Sequence, residues 1–177
     1  MLENMDPRFP IGPYVPPDTT TVEQRAAWIE DLIQAPAALR AAIAGLNDEQ
    51  LDTPYRDGGW TVRQLVHHLP DGHMHAYVRM KFALTEEQPA VKGYDEVKYA
   101  ELPDYRLTPV EVSLALLDAL HKRWAVVLRA LTPADFTRSF HHSEFGQVRL
   151  YQQLGNYAWH GRHHVAHITA LRDRMRW

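Results

Sequence analysis

Four of the chain's 11 histidines, His160, His163, His164 and His167, fall within eight residues. Neutral imidazole is a common ligand for divalent transition metals, so this run is where chemistry is to be sought first. Two pairs in it, His160 with His164 and His163 with His167, are spaced four apart. Residues four apart share a helix face, so either pair can hold one ion on a regular backbone. The chain contains no cysteine, which removes disulfides, thiolate ligands and cysteine nucleophiles together. Any metal must be held by nitrogen and oxygen. No glycine-rich phosphate loop, Gly-x-Ser-x-Gly elbow or His-Glu-x-x-His is present, so a catalytic reading rests on the metal alone.

The histidines need a helix to carry them, and the segment from Leu150 to Met175 reads as one. It lacks proline and repeats apolar residues at Leu150, Leu154, Tyr157, Ala158, Val165, Ile168 and Leu171, which is helical spacing. On a wheel of about 100° per residue the stripe centres near Leu150 and Ile168, with His164 roughly 40° and His160 roughly 80° from it. His163 falls on the order of 140° away and His167 about 100°. The pair His160 and His164 therefore faces the core or its rim, where a second helix can supply a third ligand.

A second histidine-bearing helix opens at Trp60-Thr61-Val62-Arg63-Gln64, with Thr61 and Gln64 in capping-box positions. Its apolar stripe is Val62, Leu65, Val66, Leu69, Ala76, Met80 and Ala83, and Pro70 inside it should kink the helix. On the same wheel His68 and His75 fall at the edge of the stripe, His73 lies within it and His67 points to solvent. His68 and His75 are level as edge candidates for the third ligand, with His73 a buried rival. Read without a metal, His73 is a packed core residue, His163 and His67 are solvated, and His141 and His142 are exposed. Trp28, Trp60, Trp124 and Trp159 read first as core. Asp71 is a candidate to orient an imidazole from behind.

The rest of the chain supplies scaffolding. Thr20 with Glu23 forms a capping box for a first helix over roughly 21 to 46, bent at Pro36. Asn47-Asp48-Glu49-Gln50 caps a short turn. Residues 86 to 107 form a long connection of the kind that covers a site. Thr108-Pro109-Val110-Glu111 starts a third long helix with proline as its first helical residue, and Val112, Leu116, Leu120, Trp124, Val127 and Leu131 as its stripe. Another short turn starts at Thr132-Pro133-Ala134-Asp135, and an irregular hairpin spans Phe136 to Val148. Four amphipathic helices predict an all-α four-helix bundle, a fold that builds sites between facing helices.

At 177 residues and 45% hydrophobic content, the chain is expected to form a single domain, residues 1–177. Residues 1–20, with prolines at 7, 10, 13, 16 and 17, form an extended arm over it. A net charge of -3 without a basic run argues against nucleic acid. The absence of a signal segment or an 18-residue apolar window argues against membrane and for the cytoplasm.

The stretch Thr53-Pro-Tyr-Arg-Asp-Gly-Gly-Trp-Thr-Val-Arg-Gln-Leu-Val-His-His-Leu69, with His73-Met74 and Arg79-Met-Lys-Phe-Ala-Leu-Thr-Glu86 after it, resembles the YfiT branch of the DinB-like superfamily. So do Trp159-His160 through His167-Ile168-Thr169 and the arm Pro10-Ile11-Gly12-Pro13-Tyr14. The likeness covers nearly the whole chain. It implies a four-helix bundle that binds one divalent metal per chain, zinc or nickel, works as a metal-dependent hydrolase on a small molecule, and is often a homodimer. Some such relatives are bacillithiol-type thiol S-transferases, which implies a low-molecular-weight thiol as the other substrate. It also assigns the ligands: the histidine eight residues after the helix-opening tryptophan, here His68, and the first and fifth residues of the run, here His160 and His164. His167 stands where many broader DinB-like members carry glutamine, which adds nothing to it as a ligand.

Three imidazoles leave a coordination position open, as catalytic zinc sites do. A metal there can lower the pKa of water or a thiol and polarise an electrophile. Two functions from different classes are thus expected: a metal-dependent enzyme, hydrolase or thiol transferase, and, as the alternative, a helical metal- or ligand-binding module without turnover.

Overall fold

The long helices that open at residues 22 and 62 start where a side chain satisfies their first free backbone N–H groups. Thr61 and Gln64 close the capping box that their spacing predicts, with Gln64 N to Thr61 Oγ1 at 3.1 Å and Thr61 N to Gln64 Oε1 at 2.9 Å. Asn47 and Gln50 do the same for the short turn. The first helix is capped one residue later than expected, by Thr21 with Gln24 in place of Thr20 with Glu23.

The computed structural model describes residues 6–177, and the first five residues of the expected arm lie outside them. In chain order the elements are α1 (Val22–Ile43), α2 (Asp48–Leu51), α3 (Val62–Thr85), β1 (Ala90–Val91), α4 (Glu96–Ala100), α5 (Asp104–Leu107), α6 (Val110–Ala130), a 3-10 turn (Asp135–Thr137), β2 (Ser139–His142), β3 (Gly146–Arg149) and α7 (Leu150–Met175). The four long helices make a bundle in which α1 and α3 each pack against both α6 and α7. This places α1 and α3 at opposite corners.

Several expectations shift. The first helix ends at Ile43, ahead of Gly45 in a left-handed conformation at φ 78°. Pro36 does not interrupt α1, which continues through it as a buried residue. Pro109 is the N-cap of α6 and not its first helical residue. The buried face of α6 is Leu114, Leu117, Leu120, His121, Trp124 and Leu128, and Val112 and Leu116 are exposed. The predicted stripe was one step round the helix because Leu, Ala and Val occur on nearly every face of this segment. The long connection is partly ordered: β1 pairs parallel with β2, and β2 with β3 is the expected hairpin.

The apolar core is in two clusters. One holds Leu32, Ala76, Met80, Trp124, Leu128, Leu150 and Leu154. The other holds Leu39, Leu65, Val66, Leu69, Leu117, Ile168 and Leu171. Between them, on α3, α6 and α7, lies the span from which the histidines come. The arm crosses α7, pinned by Tyr14 Oη donating to the Gln152 carbonyl (2.8 Å) and Trp159 Nε1 donating to the Gly12 carbonyl (3.0 Å).

Candidate metal centre

The polar layer between the two apolar clusters brings three imidazoles from two helices to one point. His160 Nε2 lies 3.1 Å from His68 Nε2 and 3.1 Å from His164 Nε2. Nitrogens at about 2.0–2.1 Å from one ion in tetrahedral directions stand roughly 3.3 Å apart, so the spacing suits a single divalent ion. His75, level with His68 on the wheel, instead stacks on Tyr94 with ring centroids 4.2 Å apart.

Hydrogen bonds behind the cluster decide which ring nitrogens carry protons. His121 Nδ1 lies 2.6 Å from the Leu32 carbonyl oxygen, which can only accept. His121 must therefore donate through Nδ1. Its Nε2 then accepts, so His73 donates from Nδ1 across 2.8 Å. By the same step His73 Nε2 accepts from His160 Nδ1 at 3.2 Å. His160 is left with a bare lone pair on Nε2, the atom that faces His68 and His164. These proton positions hold when all three rings are neutral. Burial, first among the causes, pushes His121 down to about 4 and His73 and His160 well below the ordinary histidine range.

The Leu32 carbonyl is free for this purpose because of Pro36. In an unbroken helix the carbonyl of residue 32 accepts from the N–H of residue 36, and proline has none. The proline that reads as an interruption in the sequence thus leaves a buried acceptor in α1, and His121 fills it.

A second branch reaches the same result from the other side. His167 Nε2 lies 3.2 Å from the Arg8 carbonyl in the arm, so His167 donates there and its Nδ1 accepts. The donor to it is His164 Nδ1, 3.3 Å away. His164 is left with its lone pair on Nε2. Two of the three facing atoms are then acceptors with no proton between them, an arrangement that repels unless a cation sits among them. His68 has its Nδ1 buried without a partner and its Nε2 turned to the cluster, and burial lowers it to about 4. The donor set fits one divalent ion.

Several other side chains lie where periodicity does not place them. His67 is buried, its Nδ1 2.7 Å from Ser113 Oγ on α6, away from the cluster. His163 is buried between Trp159, at 4.2 Å between ring centroids, and Phe9. His142 is buried and His141 exposed. Asp71 accepts from Tyr105 Oη at 2.7 Å and has no imidazole partner. Only Trp124 of these four tryptophans is fully buried; the Trp60 ring centroid lies 4.7 Å from that of His68, and Trp60 and Trp159 line the site. His121 lies just off the stripe that periodicity predicts for α6, which is offset from the buried face. Its spacing three before Trp124 was the available signal.

A cavity of about 370 Å³ opens on the cluster, lined by His68, His160 and His164 together with Trp60, Arg79 and Tyr94. Tyr94 Oη and His160 Cε1 converge over Gly72, where an added Cβ would stand 3.1 Å from the first and 3.5 Å from the second. Burial, with Tyr157, Glu96 and Asp71 nearby, holds the Tyr94 phenol well above its ordinary pKa, so it keeps its proton.

The profile of the DinB superfamily matches residues 31–168. A Bacillus mycoides (strain KBAB4) protein named "putative metal-dependent hydrolase" is 53% identical over 172 residues, 97% of this chain and 99% of that one. A protein of the same description from Oceanobacillus iheyensis is 50% identical over 173 residues, 98% and 100% of the two chains. Among solved structures, YfiT from Bacillus subtilis, described as "a probable metal-dependent hydrolase with an unusual four-helix bundle topology", superposes with a TM-score of 0.95 at 49% identity over 98% of this chain and 99% of that one. TT2238, a four-helix bundle protein, shares the fold alone, with a TM-score of 0.56 at 20% identity over 80% of this chain and 94% of that one.

Proposed function

This chain belongs to the DinB superfamily, and from that membership and its imidazole cluster we propose a metal-dependent hydrolase that holds one divalent ion, zinc or nickel, on His68, His160 and His164. The observation that carries the reading is the pair of hydrogen-bonded branches that leave His160 and His164 with lone pairs on the two facing Nε2 atoms. A direct hydrogen bond between His160 and His164 would need a proton on one of these nitrogens, and the branches use both rings' protons elsewhere.

An ion held by His68, His160 and His164 would supply Lewis acidity toward an electrophilic substrate and would lower the pKa of a water or thiol that reached it. The protein's own groups do the rest. Trp60 and Trp159 wall the cavity and limit water. Tyr94, protonated and unpaired among the hydrogen bonds of the described residues, is placed to donate to charge developing on a leaving or carbonyl oxygen. Thiol transfer is the second reading. The chain has no thiol of its own, so a low-molecular-weight thiol would enter as co-substrate through the same cavity.

Elemental analysis of purified protein tests the reading, with His160→Ala and His164→Ala alongside. About one divalent ion per chain is expected in the wild type and a small fraction of that in either variant. Metal at the wild-type level in both variants would refute the ligand assignment, and none in the wild type after reconstitution would leave a binding module without metal. An assay of loaded protein against activated esters and amides, with and without small thiols, separates hydrolysis from transfer.

A further inference from the structure

Arg79 is the one guanidinium in the wall of the cavity beside the imidazole cluster. Its residue is 8% exposed, and the hydrogen bond it makes is to the Lys92 carbonyl oxygen at 3.0 Å. An arginine carries five N–H donors, so most of its capacity is unspent. None of the ion pairs of the described residues includes it. Burial raises the Tyr157 phenol and lowers the His142 imidazole, with the Arg79 charge opposing the first shift and adding to the second, so the guanidinium stands among neutral rings. Glu96 and Glu144 line the same cavity from exposed positions on its rim. A buried cation without a counter-ion is costly unless a ligand completes it.

Arg79 also lines a second, larger cavity of about 820 Å³ under the arm, shared with Tyr157 and Trp159 and bounded by Phe140, Phe145 and Val148. The guanidinium thus stands where an apolar groove meets the imidazole cavity. We propose that Arg79 seats a carboxylate of the substrate, whose aromatic or aliphatic body lies in the apolar groove and whose reacting bond faces the imidazole cluster. The planar fork of arginine matches a carboxylate in bidentate fashion. One guanidinium balances one negative charge, and the rim carboxylates oppose a second, which favours a carboxylate over a phosphate dianion. The turnover part of this assignment rests on the metal-dependent reading above; the anion subsite does not.

Metal-free protein, prepared with a chelator, is titrated with phenylacetate, phenylacetamide and phenyl phosphate and followed by amide chemical shifts. Phenylacetate should bind about 10- to 100-fold more tightly than its neutral amide, the margin expected of hydrogen bonds to a charged group. Arg79→Gln should erase that margin and Arg79→Lys keep part of it, with metal content and far-ultraviolet circular dichroism unchanged in both. Equal binding of acid and amide to the wild type, a margin that survives Arg79→Gln, or no saturable binding in the millimolar range overturns the proposal. Tighter binding of phenyl phosphate than of phenylacetate overturns the carboxylate assignment. The wild-type comparison decides even if a variant fails to fold. His164→Ala that loses its metal and keeps the phenylacetate margin is the expected control; if it retains full metal, the hydrolase reading fails while the subsite stands.

Discussion

The two branches behind the imidazole cluster do the same job in different settings. The interior branch runs from His160 through His73 and His121 to the Leu32 carbonyl, with His73 0% and His121 2% exposed and its end fixed in α1. The arm branch runs from His164 through His167 to the carbonyl of Arg8, an exposed residue of an extended segment. Both dictate a tautomer, and His167 is itself only 3% exposed, but the first branch ends inside a helix and the second on a segment that can leave. An unpaired donor costs its full desolvation where no water can reach it and little where water can. The interior branch should therefore matter more, for the fold as for the metal.

Cutting the interior branch should have the largest effect. His73→Leu leaves His160 Nδ1 and His121 Nε2 without partners in the bundle centre. We expect metal affinity to fall about 10- to 100-fold, as for other losses of groups that orient a metal-bound histidine. Unfolding free energy of the metal-free protein should fall by about 2–3 kcal/mol. Competition with a chelating dye and urea denaturation measure the two. A variant that binds metal like the wild type would remove the interior branch from the account.

The same branch sets a pH dependence. His121 in the unfolded chain titrates near 6.5, and burial holds it at about 4 in the fold despite the Leu32 carbonyl. Above pH 6.5 both states are neutral there and this histidine adds no slope. Between 6.5 and 4 the unfolded chain takes up a proton that the folded chain refuses, so stability falls as the pH falls, by about 3 kcal/mol at pH 4. Denaturation of the metal-free protein at pH 7, 5.5 and 4 should show the loss, and His121→Gln should reduce it. An equally steep loss in the variant would place the titration elsewhere.

Pro36 tests the terminus of that branch with effects of opposite sign. Pro36→Ala gives α1 the missing N–H, which competes with His121 for the Leu32 carbonyl. The helix should gain stability, by up to about 3 kcal/mol on the intrinsic scale. Metal affinity should drop several-fold because His121 is then less firmly held in one tautomer. Nitrogen chemical shifts of the imidazoles would report the tautomers directly. A rise in stability with unchanged shifts would make Pro36 a feature of α1 alone.

The contrast also explains what could be read from the sequence. The bundle was legible because α3 and α7 have strict apolar periodicity and, in α3, a capping box: the bounds Leu150 to Met175 and the Thr61–Gln64 cap agree with the structure. The facing of His160 and His164 followed from the wheel, and the choice of His68 over His75 came from family resemblance, since periodicity leaves those two level. Burial of His67, His163 and His142 was not legible. A wheel says which way a residue points, and says nothing of a neighbouring helix, an arm or a hairpin laid over that side. The burial of His121 is signalled by Trp124 three residues on, but its role is not, because its partner is a backbone carbonyl 89 residues away that only a proline in another helix makes available.

The smallest expected effect belongs to the arm. Removing residues 1–9 takes away the Arg8 carbonyl, and His167 Nε2 then meets solvent, where a water can accept the same hydrogen bond. His167 would keep its tautomer much of the time, and His164 with it. Metal affinity should fall by no more than about threefold, a few tenths of the free energy lost with His73→Leu. His167→Phe should do more than the truncation, because it removes the acceptor for His164 Nδ1 itself. The order His73→Leu, His167→Phe, truncation, measured with one chelator series, tests the comparison as a whole. A truncation that costs as much as His73→Leu would mean that the arm excludes water from the centre as well as supplying a carbonyl, and the two branches would then be equally sealed.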